Sequence, residues 1–494
     1  MTVYLVGAGP GDPMLITVRG ADLLRRADVV VHDRLVDERL LSLAPATARR
    51  VDVGKRPGDS AAQERINGLL VELAGRHDVV VRLKGGDPYV FGRGGEEALA
   101  LERAGLEYEV VPGVSSVNGV LAYAGIPVTH RGLADSFTVV TGHGAGAGAI
   151  SGVDWDAMAR VGGTIVVLMG VAHRAEMAER LIAGGRSPAT PVAVIEHGTV
   201  RDQRTVRTTL GALFATETAT PAIIVVGDVA ELDLAWFERR PLFGWRVVVT
   251  RTQTQASILA DQLAQRGAWP VELPVIEIAE PGDGGAALDV AAAELADYDW
   301  VVFTSANAVD ALWHKVRDAR ALGRARVAAI GDGTASALAA RGIVADLVPD
   351  RLVAESLLEA FPAPDALGAR VLLPRAAVAR DVLPDGLRER GYVVDVVEAY
   401  RTLRPELGPD ALDALAGAHA VTFTSSSTVT GFLELAGRSS VPPVVACIGP
   451  VTAATARAEG LLVDVESPTH TVSGLVEALA GFARDQAGPP STRK

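Results

Sequence analysis

Short valine-rich runs alternate with amphipathic stretches along almost the entire chain. Ala27–Val31, Val79–Leu83, Thr164–Leu168, Ile223–Gly227, Val247–Thr250, Val301–Thr304, Val371–Leu373 and Val421–Thr424 are each bounded by glycine, proline or charge. Helical patterns such as Ser257–Gln265 and Gly333–Arg341 lie between them. Runs this short suit strands buried on both faces, and intervening helices turn them into βα units with largely parallel sheets. The expected fold class is α/β, which excludes helical bundles, β-sandwiches and fibrous chains. A composition that is 49% hydrophobic but only 5% aromatic agrees with this class.

A length of 494 residues suggests about three domains. The alternation pauses once, in the charged, proline-containing stretch Leu232–Trp245, and a fresh strand begins at Arg246. A linker is therefore placed at about residues 234–244. Beyond it the sequence repeats. Arg246-Val-Val-Val-Thr-Arg251 parallels Arg370-Val-Leu-Leu-Pro-Arg375, Val302–Asn307 parallels Thr422–Ser427, and Ile330–Ala335 parallels Ile448–Ala453. Three blocks in one order, separated by about 120 residues, imply two similar α/β lobes with a cleft between them. The tail after Arg484, which ends Gly-Pro-Pro-Ser-Thr-Arg-Lys, is expected to be disordered.

The net charge of −13 argues against nucleic-acid and membrane-surface partners. An anionic ligand would have to be held by local arginines, lysines and backbone N–H groups. The single cysteine, Cys447, excludes an internal disulfide, and its apolar surroundings Val444–Ile448 read as a buried thiol. The chain enters the strand-like Val3–Val6 directly, and no run approaches about 18 apolar residues, so a soluble, cytoplasmic protein is expected. His130, His143 and His197 lack HxH or HxxxH spacing, so no metal site is expected.

Three sequence features carry possible chemistry. The first is Val6-Gly-Ala-Gly-Pro-Gly-Asp-Pro13, directly after a strand. Glycines at 7, 9 and 11, stiffened by Pro10 and Pro13, do not fit the G-x-G-x-x-G dinucleotide fingerprint, though they let backbone approach a ligand. The second is the glycine-dense stretch Arg82–Glu97. Within it, Asp87 either accepts hydrogen bonds from a ligand or forms the turn before a helix opened by Glu96-Glu97. The third is the pair Asp33 and Lys55, each after a strand-like run, where active-site residues of α/β proteins collect. A carboxylate takes a proton and a lysine gives one or holds a carboxylate, the plain alternative being a solvated charge.

At these residues the first half resembles the uroporphyrinogen-III C-methyltransferases of the tetrapyrrole methylase family. The carriers are residues 6–13, Ala27–Val36, Val53–Arg56, Lys84–Glu97, Val110–Ser116, Gly125–Arg131, Thr141–His143 and Met169-Gly170, spread over about residues 1–240. The resemblance implies S-adenosyl-L-methionine bound in a cleft between two α/β domains of non-Rossmann type. It assigns Pro10, Gly85, Gly86, Asp87, Val90, Ser115, Ser116, Met169, Gly198 and Ala222 to the cofactor, Asp33 as proton acceptor and Lys55 as proton donor. His32, Leu168 and Ser115-Ser116 depart from residues common in the family, and none of these removes a catalytic group. The activity implied is double methylation of uroporphyrinogen III to precorrin-2, with S-adenosyl-L-homocysteine as by-product, by a homodimer formed through this half. Precorrin-2 leads to sirohaem or to cobalamin.

Residues 243–484 resemble uroporphyrinogen-III synthase. Val249–Arg251, Phe303–Val309, Ala329–Gly331, Glu398–Thr402 and Phe423–Val429 carry the resemblance, and the internal repeat supports it independently. It implies two flavodoxin-like lobes, about 243–278 plus 402–484, and 280–398, with crossings near 277–282 and 396–402. The repeated Thr-Ser segments read as helix N-caps, whose N–H groups suit the carboxylates of a tetrapyrrole. Arg251, Ser305, Asn307, Arg375, Ser426, Ser427 and Thr452 are the candidate substrate contacts. Tyr400 is either the candidate acid or a packed hinge aromatic. The implied reaction closes hydroxymethylbilane to uroporphyrinogen III with inversion of the last ring and loss of water.

The two resemblances together describe a bifunctional enzyme in which the product of the second half is the substrate of the first. One alternative keeps the methyltransferase and makes the second half a non-catalytic tetrapyrrole-binding or regulatory module. A nicotinamide-dependent oxidoreductase is the other, and the glycine spacing disfavours it.

Overall fold

The computed structural model describes every residue except 35, 55–61, 145–151, 251, 252, 274, 276, 352, 404–414, 487 and 491–494, and leaves out the side chains of 253–257. The chain divides into two compact units. The first is residues 1–245 with 265–269, and the second is residues 246–264 with 270–494.

The opening runs of the first unit form the expected parallel sheet. Its strands are β1 (Thr2–Gly7), β2 (Val29–His32), β3 (Arg49–Asp52), β4 (Val79–Lys84) and β5 (Glu107–Val111), in the order β3-β2-β4-β1-β5. Val3, Leu5, Val29, Val31 and Val80 face one way into a core closed by Ile66, Leu70 and Leu101; Val6, Val30, Val81 and Leu83 face the other way against Leu23 and Leu24. The connecting helix Val18–Arg25 starts at Thr17, whose hydroxyl caps the N–H of Gly20.

A second sheet in this unit departs from the expected parallel pattern. Its strands β6 (Phe137–Thr141), β7 (Thr164–Leu168), β8 (Pro191–Glu196), β9 (Arg204–Thr209) and β10 (Ala222–Val226) run in the order β6-β7-β10-β8-β9. Only β6 and β7 are parallel; β10 runs against both β7 and β8, and β8 against β9. The valine-rich runs of β7, β8 and β10 hide this, because buried central strands look alike in either direction. The seven-residue β8–β9 connection, too short for a helical crossover, was the available signal.

The stretch expected to be a linker is packed rather than free. Ala235, Phe237, Leu242 and Trp245 are buried, and the rings of Trp236 and Phe237 lie 5.1 and 4.7 Å from Tyr123. The Trp236 indole N–H donates to the Ala122 carbonyl at 2.8 Å.

The second unit carries the repeat as two sheets. One is built from β11 (Arg246–Val249), β12 (Trp269–Glu272), β18 (Ala420–Phe423), β19 (Val444–Cys447) and β20 (Val465–Glu466), in the order β12-β11-β18-β19-β20. The other contains β13 (Glu277–Ala279), β14 (Trp300–Phe303), β15 (Arg326–Ala329), β16 (Arg370–Ala376) and β17 (Val393–Leu403), in the order β13-β17-β16-β14-β15. The run β12-β11-β18-β19 thus matches β17-β16-β14-β15 strand for strand. Two buried threonines join β11 to β18 reciprocally: Thr250 Oγ1 donates to Thr422 O and Thr422 Oγ1 to Val248 O, both at 2.8 Å. Cys447 is buried in this sheet, and burial pushes its thiol up to about 12.

Residues 277–279 form β13, which pairs antiparallel with residues 401–403 of β17, so the two stretches expected to cross between the lobes run side by side. The helix Val472–Arg484 ends where the tail was expected, and residues 487 and 491–494 of that tail lie outside the described residues.

Candidate active sites

Five loops leave the carboxyl edge of the first sheet. The chain leaves β1 toward β2 on one side and β4 toward β5 on the other, the switch point at which α/β sheets open a crevice. Beyond the strand ends, the Gly86 N–H donates to Gly9 O at 2.7 Å, and the Gly9 N–H to Gly86 O at 3.3 Å. Gly86 has φ +68°, which favours glycine. Backbone also meets backbone between Gly7, Gly86 and Gly113: a Cβ on Gly113 would overlap the Gly86 carbonyl oxygen and lie 2.7 Å from the Gly7 Cα. Gly85, in contrast, has nothing within 4 Å of where a Cβ would sit, so its backbone presents a bare ledge.

Asp87 fixes this edge internally. One oxygen accepts the Tyr89 N–H at 2.8 Å and the other the Gly113 N–H at 3.0 Å, bracing the loop after β4 against the loop after β5. Each oxygen keeps a further lone pair, so both readings of this residue are chemically compatible. Ser115 caps the helix Ser116–Tyr123 through the Val117 N–H, and the Pro10 ring lies where a side chain at Gly119 of that helix would stand. Val90 lies exposed between Tyr89 and Phe91, which are exposed too.

The second sheet contributes its own edge. Met169 follows β7, Gly198 follows β8, and Ala222 opens β10, whose antiparallel direction brings its start beside Glu196. The two edges meet within this unit through Asp12: its N–H donates to Thr199 Oγ1 at 3.0 Å, and Tyr123 donates to its Oδ2 at 2.7 Å. Burial and then this hydrogen bond raise the Tyr123 phenol above its usual range. Among the described residues, every non-glycine with positive φ (Phe91, Arg93, Met169, His197 and Thr199) lies in these loops. Such strain collects where a site dictates the backbone.

Asp33 sits at the end of β2 in a charged cluster. Its Oδ1 accepts from Arg82 Nη2 at 2.6 Å. Arg82, 1% exposed, also donates from Nε to Glu97 Oε1 at 3.1 Å and from Nη1 to the carbonyls of Val31 and Leu83. Lys84 donates to the same Glu97 oxygen at 2.9 Å. Burial and then Arg82 push the Lys84 ammonium below the usual lysine range, against the pull of Glu97 and Asp33. Lys55, the proposed proton donor, lies outside the described residues. The cluster was missed by sequence reasoning; the signal was a pair of cations inside the run Val79–Lys84, in a strand buried on both faces.

In the second unit, Tyr400 on β17 is half-buried against the core, and its hydroxyl donates to Ser305 Oγ at 3.1 Å. Ser305 is the N-cap of the helix Ala306–Trp313, accepting from the Ala308 N–H, and Asn307 lies in its first turn. Ser425 caps the equivalent helix Ser426–Ala436. Ser427 is exposed and 2.9 Å from the Ser425 hydroxyl, while the Ser426 hydroxyl meets Thr455 at 2.7 Å. Arg375 donates to Asp381 at 2.7 Å and to the Arg380 carbonyl. Thr452 is 4% exposed on the helix Pro450–Ala458. Arg251 lies outside the described residues.

Residues 2–213 match the family described as Tetrapyrrole (Corrin/Porphyrin) Methylases, and residues 257–477 the family described as Uroporphyrinogen-III synthase HemD. A porphyrin biosynthesis protein HemD of Ruminiclostridium josui is 37% identical over 494 residues, covering 97% of each chain. The chain belongs to this HemD family. A uroporphyrinogen III methyltransferase of Methanosarcina barkeri, S-adenosyl-L-methionine-dependent by name, is 51% identical over 48% of the chain and 95% of its own length. A crystal structure of uroporphyrin-III C-methyltransferase from Thermus thermophilus, complexed with S-adenosylhomocysteine, is 47% identical, covers 46% of the chain and 98% of its own, and gives a TM-score of 0.42. In this HemD-family chain the methylase match falls within the first compact unit, and the synthase match begins beyond the boundary at Trp245. No described helix is long and apolar enough to cross a membrane.

Proposed function

We propose that the second half of the chain cyclises hydroxymethylbilane to uroporphyrinogen III, and that the first half methylates this product twice to precorrin-2. The observation that carries the reading is the 37% identity over 97% of both chains, with a methylase match and a synthase match side by side in one polypeptide. The enzyme acts as a homodimer through its first half, with Lys55 as proton donor, as the methyltransferase resemblance implies, and it works in the cytoplasm.

S-adenosyl-L-methionine, when bound, supplies an electrophilic sulfonium methyl. The residues present suit it: the bare Gly85-Gly86 backbone, the exposed apolar Val90, and Met169 held exposed in a left-handed conformation. Pro10, Asp87, Ser115, Ser116, Gly198 and Ala222 complete the two edges that hold it. Attack by an electron-rich pyrrole carbon leaves an iminium-like ring that must lose a proton, and Asp33 takes it, a reading its partial exposure at the end of β2 supports. Aligning the reactants supplies most of the acceleration.

In the second half, Tyr400 donates a proton to the departing hydroxyl, its O–H turning to the substrate from Ser305 Oγ, to which it otherwise donates. Ser426, Ser427 and Asn307 lie at helix starts that suit substrate carboxylates. Tyr400→Phe is expected to slow cyclisation about tenfold, a modest effect for a general acid because the pyrrole itself helps expel the hydroxyl. Stopped assays of uroporphyrinogen III formation read this directly, and an unchanged rate would return Tyr400 to a packing role.

The overall test is anaerobic incubation of the purified protein with hydroxymethylbilane and S-adenosyl-L-methionine, followed by mass spectrometry. A dehydrated, doubly methylated type III tetrapyrrole is expected. Methylation of supplied uroporphyrinogen III without cyclisation would leave the second half a binding module. No methylation at all would overturn the reading.

A further inference from the structure

Glu97 stands out among the buried charges. It is fully buried on the helix Gly94–Arg103, and three donors converge on its Oε1: Arg82 Nε at 3.1 Å, Lys84 Nζ at 2.9 Å and Gln63 Nε2 at 3.3 Å. Its Oε2 is buried without a hydrogen-bond partner among the described residues. A carboxylate so unevenly served is a poor stabilising device, since a well-packed apolar residue would avoid the desolvation cost. Its geometry instead fixes a direction. Arg82 is held at Nε by Glu97 and at Nη1 by two carbonyls, which leaves Nη2 aimed at Asp33. The planar guanidinium transmits that orientation without rotational play. Asp33, with a third of its side chain exposed, is the member of this cluster that reaches solvent.

We infer that Glu97 is a positioning residue for methyl transfer, acting through Arg82 to hold the Asp33 carboxylate where the proton is lost. This rests on the reading of Asp33 as the base. The two cations and two anions of the cluster balance, so Glu97 also keeps Arg82 and Lys84 from facing Asp33 uncompensated.

The test uses the full chain with uroporphyrinogen III and S-adenosyl-L-methionine under anaerobic conditions. Glu97→Gln is nearly isosteric but lacks the charge. It is expected to lower kcat for methylation by about 30-fold, part of the roughly 10²–10⁴-fold worth of a general base. KM for S-adenosyl-L-methionine is expected to stay within about twofold, and cyclisation of hydroxymethylbilane by the other half to be unchanged. Glu97→Asp, which restores the charge, is expected to recover at least about fivefold of the loss. Wild-type kcat in a folded Glu97→Gln protein would overturn the inference, as would a loss shared equally between kcat and cofactor binding. Should Glu97→Gln not fold, wild-type kcat in Glu97→Asp, which withdraws the oxygen from Arg82, would overturn it equally. If Asp33→Asn itself left methylation intact, the base assignment would fall instead, which separates the two failures.

Discussion

Replacing Asp33 by asparagine is expected to lower kcat for methylation by about 10²–10³-fold, within the usual range for loss of a general base. The substitution is chemically narrow. The amide oxygen of asparagine still accepts from Arg82 Nη2, now 2.6 Å from Asp33 Oδ1, so the buried guanidinium keeps a partner and the sheet edge keeps its shape. What is lost is the ability to take a proton. Binding of S-adenosyl-L-homocysteine, read by calorimetry, should be unchanged, because Asp33 leaves β2 while the residues proposed to hold the cofactor lie on the loops after β1, β4 and β5 and on the second sheet. A folded Asp33→Asn protein that methylates at the wild-type rate would exclude Asp33 as the base.

Gly113→Ala is expected to act by geometry alone. The added methyl would overlap the Gly86 carbonyl oxygen and crowd the Gly7 Cα, and neither neighbour is a flexible side chain that can swing away. The loops after β1, β4 and β5 would have to part, breaking the Asp87–Gly113 hydrogen bond with them. Overpacking against backbone should cost roughly 2–4 kcal/mol, or a fall of roughly 5–10 °C in the melting midpoint of the first unit. Methylation should fall below detection while the second half continues to cyclise its substrate. Calorimetry with paired activity assays checks both, and retained methylation would show that the three-loop junction tolerates separation.

Much of this arrangement was legible in the residues. Glycines at 7, 9 and 11 announced close backbone approach and disfavoured a dinucleotide loop, and the structure shows Gly7 and Gly9 against Gly113 and Gly86. The Thr-Ser repeats announced two equivalent helix caps, found at Ser305 and Ser425. Strand direction in the second sheet was not legible, because Ile223–Val226 is buried and apolar whichever way it runs. Nor was the partnership of Arg82 with Asp33, 49 residues apart, since only the order β2-β4 makes them neighbours. The partner of Arg375 and the burial of Thr452 were not legible for a related reason: a polar residue at a strand or helix end is equally served by its own loop or core, and local sequence does not say which partner wins.

The pairing of β11 with β18 has a consequence for synthesis on the ribosome. Val247 lies opposite Ala420, so the first strand of this unit waits for a partner made after the entire β13–β17 sheet has emerged. Nascent β11 and β12 present apolar edges that nothing in the earlier chain of this sheet can cover, whereas the β13–β17 sheet draws all its strands from one continuous stretch and can close first. Once folded, that stretch brings residues 279 and 393 into one sheet and shortens the effective loop that β11 and β18 must close. The order of folding expected from this topology is therefore inside-out along this half of the chain, with its two ends joined last.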